Sequence, residues 1–283
     1  MVFSTPVKNS FTLGNLLLLC GKILTFVKKQ LAKKETYRAK YIAKSGSTEN
    51  TERKIVTPIS DEVKASFEEG KVILIDKPLH WTSFDIVRKI RNSLRIKKVG
   101  HAGTLDPLAT GLLIVCTGKF TKKINEYMAQ EKEYAGAITL GAVTPTYDLE
   151  STPQDAKDFS GITDAQILAA TKQFIGEIQQ LPPIYSAIKK DGVALYELAR
   201  RGIEVELKPR TIMIKEFEIT AIELPVVKFK VVCSTGTYIR SLANDFGAAL
   251  GCGGYLSELR RTRIGERLVA NAVTMEAFME GLK

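Results

Sequence analysis

The sequence of 283 residues contains little histidine and little cysteine. Its two histidines are His80 and His101, and its four cysteines are Cys20, Cys116, Cys233 and Cys252. The cysteines include no CxxC pair, and no Cys or His spacing matches a zinc-binding motif. A disulfide framework and a familiar type of zinc site are therefore excluded, and the thiols are expected to be reduced, as in a cytosolic protein.

Several motifs of nucleotide-binding and hydrolytic enzymes are also missing. Residues 118–121 (GKFT) lack the leading glycine of a phosphate-binding loop, because Leu113 occupies that position. The glycines of GCGGYL do not follow a strand in a βαβ unit, and no GxSxG nucleophile motif occurs. The sequence thus offers no site for a nucleotide cofactor. Carboxylates and tyrosines remain as the candidate reactive groups.

No apolar run is long enough to indicate a membrane span. Residues 11–27 are mainly apolar, but Lys22 and two glycines interrupt them, and a spanning helix needs about 20 apolar residues. A basic stretch and then a polar stretch follow. An amphipathic surface or targeting helix, a signal anchor and a poorly ordered extension are all compatible with this pattern. We favour the last, and predict that residues 1–62 form a basic extension that the globular part does not need.

The net charge of +10 is unevenly distributed. Residues 1–66 contain 12 Lys/Arg and 5 Asp/Glu, whereas the remaining residues contain 29 and 26. Most of the basicity therefore lies in the first quarter of the chain. A globular part of small positive charge can still present a basic face to phosphates, so the composition gives only weak support for nucleic-acid binding.

The pattern of apolar residues predicts an α+β fold for residues 63–283. The predicted strands are residues 72–75, 112–118, 132–141, 210–224 and 227–234, and the predicted helices are residues 84–94, 164–175, 192–202 and 236–251. Thr82 or Ser83 is the expected N-cap of the first helix. The irregular alternation of strands and helices favours a mixed or antiparallel sheet. Residues 100–111 contain four Gly or Pro residues, which predicts a loop.

Asp106 lies in this loop. An Asp that precedes a Pro usually contributes to a turn. Here, however, the loop directly precedes a buried strand, and rigid scaffolds commonly place functional groups in such loops. Its glycines also allow the backbone to approach a ligand closely. Asp106 is therefore a candidate functional residue.

Residues 100–122 (GHAGTLDPLATGLLIVCTGKFTK) resemble the signature of the TruB family of RNA pseudouridine synthases. Further similar motifs occur in the family's order: VILIDKPLHWTSFDIVRKIR, KEYAGAITLG, LPPIYSAIKKDGVALYELARRG, GTYIRSLANDFGAALG and LSELRRTRIG. Several motifs in a fixed order are far more specific than any one of them alone. The resemblance covers about residues 68–283.

The resemblance implies a pseudouridine synthase fold, which has a central mixed, mostly antiparallel sheet, flanking helices and an inserted thumb, here at about residues 181–209. It implies an enzyme that flips uridine 55 out of the T-loop of tRNA and isomerises it to pseudouridine by attack of an Asp nucleophile. The reaction needs no redox change and no group donor, so no cofactor is expected. We expect a cytoplasmic monomer that binds the tRNA T-stem loop without an obligate protein partner. Many members continue into a small RNA-binding domain, which we do not expect after Lys283.

The functional positions of the family match eight residues of this sequence. Asp106 matches the nucleophile, Arg240 matches the arginine that pairs with it, and Tyr134 matches the tyrosine that packs on the uracil and is implicated in proton removal. The positions implied to contact the substrate are His101, Lys122, Asp148, Tyr238 and Leu259. A guanidinium beside a buried carboxylate favours the ionised form that nucleophilic attack requires.

Other interpretations of these residues remain open. Tyr134 and Tyr238 could be core aromatics, and Arg240 could form a structural ion pair with Asp245. Asp148 could be a turn residue, and many family members have an Asp where this chain has the proline of TPTYD. His101 could form a hydrogen bond to the backbone, and Lys122 could belong to a solvated face. The whole protein could also be a catalytically silent tRNA-binding or tRNA-folding protein, or could modify another RNA hairpin. The sequence does not separate attack at C1′ from attack at C6.

Overall fold

The computed structural model describes residues 59–186, 188–190 and 192–282. The helices are α1 (Asp61–Glu69), α2 (Ser83–Leu94), α3 (Ile124–Ala129), α4 (Asp164–Ala170), α5 (Leu195–Arg200), α6 (Ile239–Ala249) and α7 (Met275–Glu280). The strands are β1 (Val72–Lys77), β2 (Val99–Ala102), β3 (Ala109–Thr117), β4 (Lys132–Leu140), β5 (Gly176–Gln180), β6 (Lys189–Lys190), β7 (Val193–Ala194), β8 (Arg210–Glu223), β9 (Val226–Cys233), β10 (Gly254–Ile264) and β11 (Arg267–Leu268). The predictions made for residues 1–58 lie outside the described residues.

Nine strands of the described chain form one sheet. Seven follow the order β1-β3-β10-β4-β9-β8-β5, while β2 pairs with β3 and β11 pairs with β10. The β3–β10 pairing is parallel, and the other pairings of this sheet within the described residues are antiparallel. The prediction of an α+β fold with a mixed, mostly antiparallel sheet is therefore confirmed. Strands β6 and β7 form a separate antiparallel pair.

Helix α2 shows how the local sequence determines the packing on one face of the sheet. The Thr82 hydroxyl accepts a hydrogen bond from the Asp85 backbone N–H, and the Asp85 carboxylate accepts one from the Thr82 N–H, which forms a capping box. The helix then buries Ile86, Ile90 and Leu94 completely. These side chains belong to one apolar cluster with residues of β1 and β3. Burial of this face stabilises the helix on the sheet.

Several elements differ from the sequence prediction, among them β2, α4 and β10. Residues Val99–Ala102, at the start of the predicted loop, form β2. Their backbone pairs with β3 despite the presence of Gly100. The helix predicted for residues 164–175 is α-helical only to Ala170 and continues as a 3-10 helix, Thr171–Phe174. Strand β10 was not predicted, because its charged residues obscure the alternation of apolar side chains. It nevertheless lies between β3 and β4 in the sheet.

Candidate active site

The loop between β2 and β3 holds Asp106 at the β10 side of the sheet. The backbone N–H of Leu105 donates to Ser83 Oγ at 2.9 Å, and Ser83 Oγ donates to the Leu105 carbonyl at 3.2 Å. Both residues are almost fully buried. The Asp106 carbonyl accepts a bond from the Ala109 N–H at 3.0 Å, which closes a turn before β3. The loop is thus fixed on both sides of Asp106, whose side chain remains 37% exposed.

Arg240, in the first turn of α6, pairs with this carboxylate. Its Nε lies 2.9 Å from Asp106 Oδ2, and the same Nε lies 3.7 Å from Asp148 Oδ2. Its terminal nitrogens donate to the carbonyls of Thr146 at 3.1 Å and Tyr185 at 2.9 Å. The Arg240 side chain is only 6% exposed. The two carbonyl bonds hold the buried guanidinium in place, and its charge lies beside the Asp106 carboxylate.

The alternative ion pair between Arg240 and Asp245 is not the arrangement observed. The Asp245 carboxylate instead accepts a hydrogen bond from Asn244 Nδ2 at 3.2 Å. Burial raises the pKa of Asp245, and this hydrogen bond opposes the rise. Arg240 therefore faces the β2–β3 loop.

Asp148 is both a turn residue and a neighbour of the ion pair. Its Oδ1 accepts hydrogen bonds from Thr146 Oγ1 at 2.6 Å and from the Glu150 N–H at 2.9 Å. It is 4% exposed, and burial raises its pKa, whereas the Thr146 hydroxyl and the Arg240 guanidinium lower it. The Tyr147 N–H donates to the Thr144 carbonyl at 3.1 Å, which closes a turn around Pro145. Asp148 is thus a second carboxylate close to the Nε of Arg240.

A cavity of about 520 Å³ opens beside the Asp106–Arg240 pair. Its wall includes Tyr134, which projects from β4 and is 8% exposed. Burial raises the pKa of Tyr134, and the Arg261 guanidinium opposes that rise. A cavity of this size, with aromatic and charged groups on its wall, can enclose a planar heterocycle and its sugar.

Tyr238 lines the same cavity from the N-terminus of α6. Its backbone is held by the side-chain amide of Gln180, which accepts from the Tyr238 N–H at 2.8 Å and donates to the Tyr238 carbonyl at 3.1 Å. Burial raises the pKa of the Tyr238 phenol, and a hydrogen bond with Ser186 opposes the rise. The end of β5 and the start of α6 are therefore joined where the helix brings Tyr238 and Arg240 to the cavity.

The structure brings together most of the residues singled out from the sequence. Asp106, Tyr134, Tyr238, Arg240 and Leu259 all line the cavity. Asp148 lies behind it, within 3.7 Å of the guanidinium. The remaining two residues, both within the described part of the chain, are not among those that line it. His101, in β2, is largely buried, and Lys122, in the 3-10 helix Gly118–Lys123, is exposed.

Two family models match consecutive parts of the chain. Residues 91–239 match the TruB family pseudouridylate synthase N-terminal domain, and residues 240–283 match the tRNA pseudouridylate synthase B C-terminal domain. The chain belongs to the TruB family. The resemblance stated from the sequence motifs is thereby confirmed.

Curated relatives are similar over nearly their whole length. The tRNA pseudouridine synthase B of Flavobacterium johnsoniae is 55% identical over 222 residues, which are 76% of this chain and 97% of the relative. The enzyme of the same name from Phocaeicola vulgatus is 49% identical over 223 residues, 77% of this chain and 95% of the relative. The similarity thus covers about three quarters of this chain and nearly the whole of each relative.

Two solved structures share the fold at lower identity. A chain of the Cbf5–Nop10–Gar1 complex is 32% identical with a TM-score of 0.59, and the match covers 77% of this chain and 56% of that one. A chain of an H/ACA RNP bound to a substrate RNA containing 2′-deoxyuridine is 29% identical with a TM-score of 0.56, covering 82% and 60%. The present chain spans little more than half the length of these chains. Together with the family match, the similarity confirms the predicted pseudouridine synthase fold.

Two buried cations at the TruB cavity were not singled out from the sequence. Lys132 and Arg261 both line the cavity, and they are 5% and 1% exposed. Arg261 follows Leu259 by two positions in LSELRRTRIG, and alternate residues of a strand share a face. A strand prediction for this segment would therefore have placed Arg261 beside Leu259. Lys132 is the first residue of the KEYAGAITLG motif, where a lysine gives no comparable signal.

Lys132 provides a test of the electrostatics of this site. Its ammonium donates to the carbonyls of Met128 and Gln130. Burial lowers the pKa of Lys132 from 10.5 to about 8. Between these two pH values the unfolded chain binds more protons than the folded protein, so the free energy of unfolding gains a positive slope with pH. The total gain from this residue is at most about 3 kcal/mol.

We therefore expect Lys132→Met to reduce the rise in the free energy of unfolding between pH 7.5 and pH 10. Urea unfolding of both proteins at these two pH values measures the effect. The matched control is Lys119→Met, because the Lys119 side chain is 69% exposed and pairs with the exposed Glu69. Equal pH slopes in the unaltered protein and in Lys132→Met would contradict the prediction.

The described residues contain no group of three or more His, Cys, Asp or Glu side chains arranged to hold a metal ion. Among the same residues, no helix is both long enough and apolar enough to cross a membrane.

Proposed function

We propose that this chain isomerises uridine 55 in the T-loop of tRNA to pseudouridine, with Asp106 as the nucleophile. The observation that carries the proposal is the ion pair of Asp106 with the buried Arg240, at the wall of a cavity that Tyr134 also lines. Membership of the TruB family supplies the class of reaction. The names of the relatives, tRNA pseudouridine synthase B, support tRNA as the substrate.

The cavity is suited to a base that has been flipped out of an RNA loop. A stacked uridine cannot present its glycosidic bond to a side chain, so an enzyme that acts on it must extrude it. The volume of about 520 Å³ falls within the range of ligand pockets. Tyr134 and Tyr238 offer aromatic faces, and base–aromatic stacking contributes about 1–3 kcal/mol per base. Leu259 adds an apolar contact at the base pocket.

Asp106 supplies the nucleophile. A carboxylate attacks only in its ionised form, and the permanent positive charge of Arg240 forms an ion pair with Asp106, with Nε 2.9 Å from Oδ2. Asp106 forms a bond to C1′ of the ribose or to C6 of the uracil, and the N1–C1′ bond breaks. The detached uracil turns within the cavity, C5 bonds to C1′, and the Asp106 ester or adduct is released. Enclosure by the cavity retains the uracil between these steps.

Tyr134 is the proposed group for proton removal. The C5 proton leaves after the new carbon–carbon bond has formed, and N1 gains a proton, so the overall isomerisation is redox neutral. Burial raises the pKa of Tyr134, which keeps the phenol protonated in the free protein. The guanidinium of Arg261 opposes this effect and so favours the phenolate, the form of Tyr134 that can accept the C5 proton.

The thumb at about residues 181–209 is proposed to clamp the T-stem loop. Its first residues are bonded to α6, because Ser241 Oγ donates to the Leu181 carbonyl at 2.8 Å and Arg240 donates to the Tyr185 carbonyl at 2.9 Å. These two hydrogen bonds connect the start of the thumb to the helix that carries Arg240. We propose residues 63–283 as the catalytic domain and residues 1–62 as a dispensable basic extension.

The remaining predicted residues are assigned supporting roles. Asp148 orients the guanidinium of Arg240, from which it lies 3.7 Å. His101 and Lys122 are proposed to contact RNA outside the cavity around the flipped base. The described thiols of the chain are free and buried, which supports a reducing compartment, and we propose a cytoplasmic monomer without an obligate partner.

Incubation with an unmodified tRNA transcript tests the proposed function. We expect one pseudouridine at position 55, detected by carbodiimide treatment and primer extension. A transcript with cytidine at position 55 is the matched control and should acquire no pseudouridine. Modification only at another position would contradict the T-loop assignment. Binding without any modification would instead indicate a catalytically silent tRNA-binding protein.

A further inference from the structure

Arg261 forms a second buried guanidinium beside the cavity, separate from the Asp106–Arg240 pair. Its Nε donates to the Leu112 carbonyl at 2.7 Å, and Nη2 donates to the Gly103 carbonyl at 3.0 Å. Nη1 lies 3.4 Å from the Thr104 carbonyl, to which it also donates. The residue is 1% exposed. One side chain thus holds consecutive carbonyls of the nucleophile loop and a carbonyl of β3.

The same residue faces Tyr134 across the sheet. Arg261 and Tyr134 are direct partners in the antiparallel β10–β4 pairing. Side chains of directly opposed residues lie on the same face, with Cβ atoms about 4.5–5.5 Å apart. On its other side Arg261 is paired with Gly111 of β3, where an added Cβ would lie 2.2 Å from the Arg261 carbonyl oxygen. The absence of a side chain at Gly111 therefore permits the close approach of β3 to β10.

We propose that Arg261 is a positioning residue that fixes the nucleophile loop and Tyr134 relative to each other. It forms hydrogen bonds to the loop two and three residues before Asp106. It lines the cavity from β10, the strand that pairs with the Tyr134 strand β4. Movement of the loop then requires breaking hydrogen bonds to a buried guanidinium whose strand neighbour is Tyr134. This inference rests on the proposed function, because it assigns both groups to the same reaction.

Electrostatic effects within the site are consistent with this role. Burial raises the pKa of Tyr134, and Arg261 lowers it by its charge and by a hydrogen bond, whereas the Asp106 charge raises it. Three further titratable groups face Arg261 from β1, β2 and β4. Burial lowers the pKa of each, and the charge of Arg261 lowers it further; they are Lys77, His101 and Lys132. Arg261 therefore contributes positive potential at the phenol, which favours the phenolate that proton removal requires.

The test is a double-mutant cycle of Arg261→Met and Tyr134→Phe, measured on tRNA. A positioning residue acts through its partners, so its removal should cost less when a partner is already absent. We expect Arg261→Met to lower kcat about 100-fold with KM changed less than about threefold, and the same substitution to cost less than about tenfold in the Tyr134→Phe background. An arginine that only stabilises the fold would reduce activity equally in both backgrounds.

Two additional variants make the result independent of folding. Arg261→Lys retains the charge but cannot bind three carbonyls at once, so we expect kcat between those of the Met variant and the unaltered protein, about tenfold below the latter. Arg260→Met is the matched control, because the neighbouring Arg260 is partly exposed and pairs with Asp76 at 2.7 Å. Its kcat should stay within about threefold of the unaltered protein.

Each outcome decides either the positioning role of Arg261 or the proposed function. Equal losses in the two backgrounds, or a kcat for Arg261→Lys within threefold of the unaltered protein, would overturn the positioning role. If Arg261→Met does not fold, as judged by circular dichroism, Arg261→Lys in the same two backgrounds gives the decision. Pseudouridine formation by the unaltered protein is scored first, and its absence would overturn the proposed function rather than the role of Arg261 alone.

Discussion

Replacement of Asp106 by asparagine is expected to abolish turnover while the protein stays folded and continues to bind tRNA. The amide has nearly the size of the carboxylate but carries no negative charge, so it cannot attack the ribose or the uracil. Removal of an enzymatic nucleophile typically costs roughly 10⁴- to 10⁶-fold in turnover. We therefore expect a loss of at least about 10⁴-fold, which takes the reaction below detection in a multiple-turnover assay.

The fold should tolerate this change because Arg240 keeps other partners. Asp148 remains 3.7 Å from the guanidinium, and the carbonyls of Thr146 and Tyr185 still accept its hydrogen bonds. The Asp106 side chain is 37% exposed, so the new amide can also bond to water. No buried charge is left without a partner, which is the condition under which such substitutions become strongly destabilising.

Asp76→Asn is the matched control for this variant. Asp76 also pairs with an arginine, Arg260, at 2.7 Å, but it lies on β1 outside the cavity lining. Its replacement should leave turnover within about threefold of the unaltered protein. The assay is pseudouridine formation in tRNA transcript, with tRNA affinity and the melting temperature measured in parallel. Multiple turnover by pure Asp106→Asn protein would end the assignment of the nucleophile.

The parts of the fold predicted from the sequence are those that local interactions determine. The cap at Thr82 and the apolar face of α2 follow from residues three and four positions apart, and the structure confirms both. Strands β1, β3, β4, β8 and β9 have clear apolar runs. By contrast, β10 carries charged residues with partners in distant parts of the chain, such as the carbonyls that accept hydrogen bonds from Arg261, 149 to 158 residues away. No local pattern contains that information.

The same distinction between local and distant interactions determines which parts of the candidate site could be predicted from the sequence. The loop around Asp106 is recognisable because glycines and proline lie close together in sequence. Its partner Arg240 is 134 residues away, and only the family resemblance connected the two before the structure was known. The structure also separates residues that the motif presents together, because Asp106 lines the cavity whereas His101, in the same motif, packs largely buried in β2. Side-chain direction in a strand alternates with register, which the motif alone does not specify.

Replacement of Arg240 by methionine is expected to reduce kcat by roughly 10²- to 10³-fold with little change in tRNA affinity. Methionine approximates the length of the side chain but leaves Asp148, which is 4% exposed, without its cationic neighbour. Breaking a buried ion pair costs about 3–5 kcal/mol. If most of this cost falls on the transition state, it corresponds to the stated loss of rate. The Arg240 side chain is only 6% exposed and offers little surface to tRNA phosphates, so we expect the dissociation constant to change less than about threefold.

The variant should also acquire a characteristic dependence of stability on pH. Burial raises the pKa of Asp148, and Arg240 opposes that rise, so loss of the guanidinium raises the pKa further. The folded variant then binds this proton more tightly than the unfolded chain does. Its free energy of unfolding is greatest below the ordinary Asp pKa and falls as pH rises through the higher folded-state pKa. Urea unfolding from pH 4 to pH 8 should therefore show a steeper decline for Arg240→Met than for the unaltered protein.

Arg263→Met is the matched control for both measurements. Arg263 also contacts two carboxylates, Glu131 at 3.0 Å and Glu133 at 3.7 Å, but its side chain and theirs are more than one-fifth exposed. Water can replace the lost partner there, so the control should show neither the large loss of kcat nor the steeper decline of stability with pH. If Arg240→Met loses kcat but follows the pH dependence of the control, Asp148 does not depend on Arg240 for its charge. In that case the guanidinium serves Asp106 alone, and the loss of rate measures the Asp106–Arg240 pair directly.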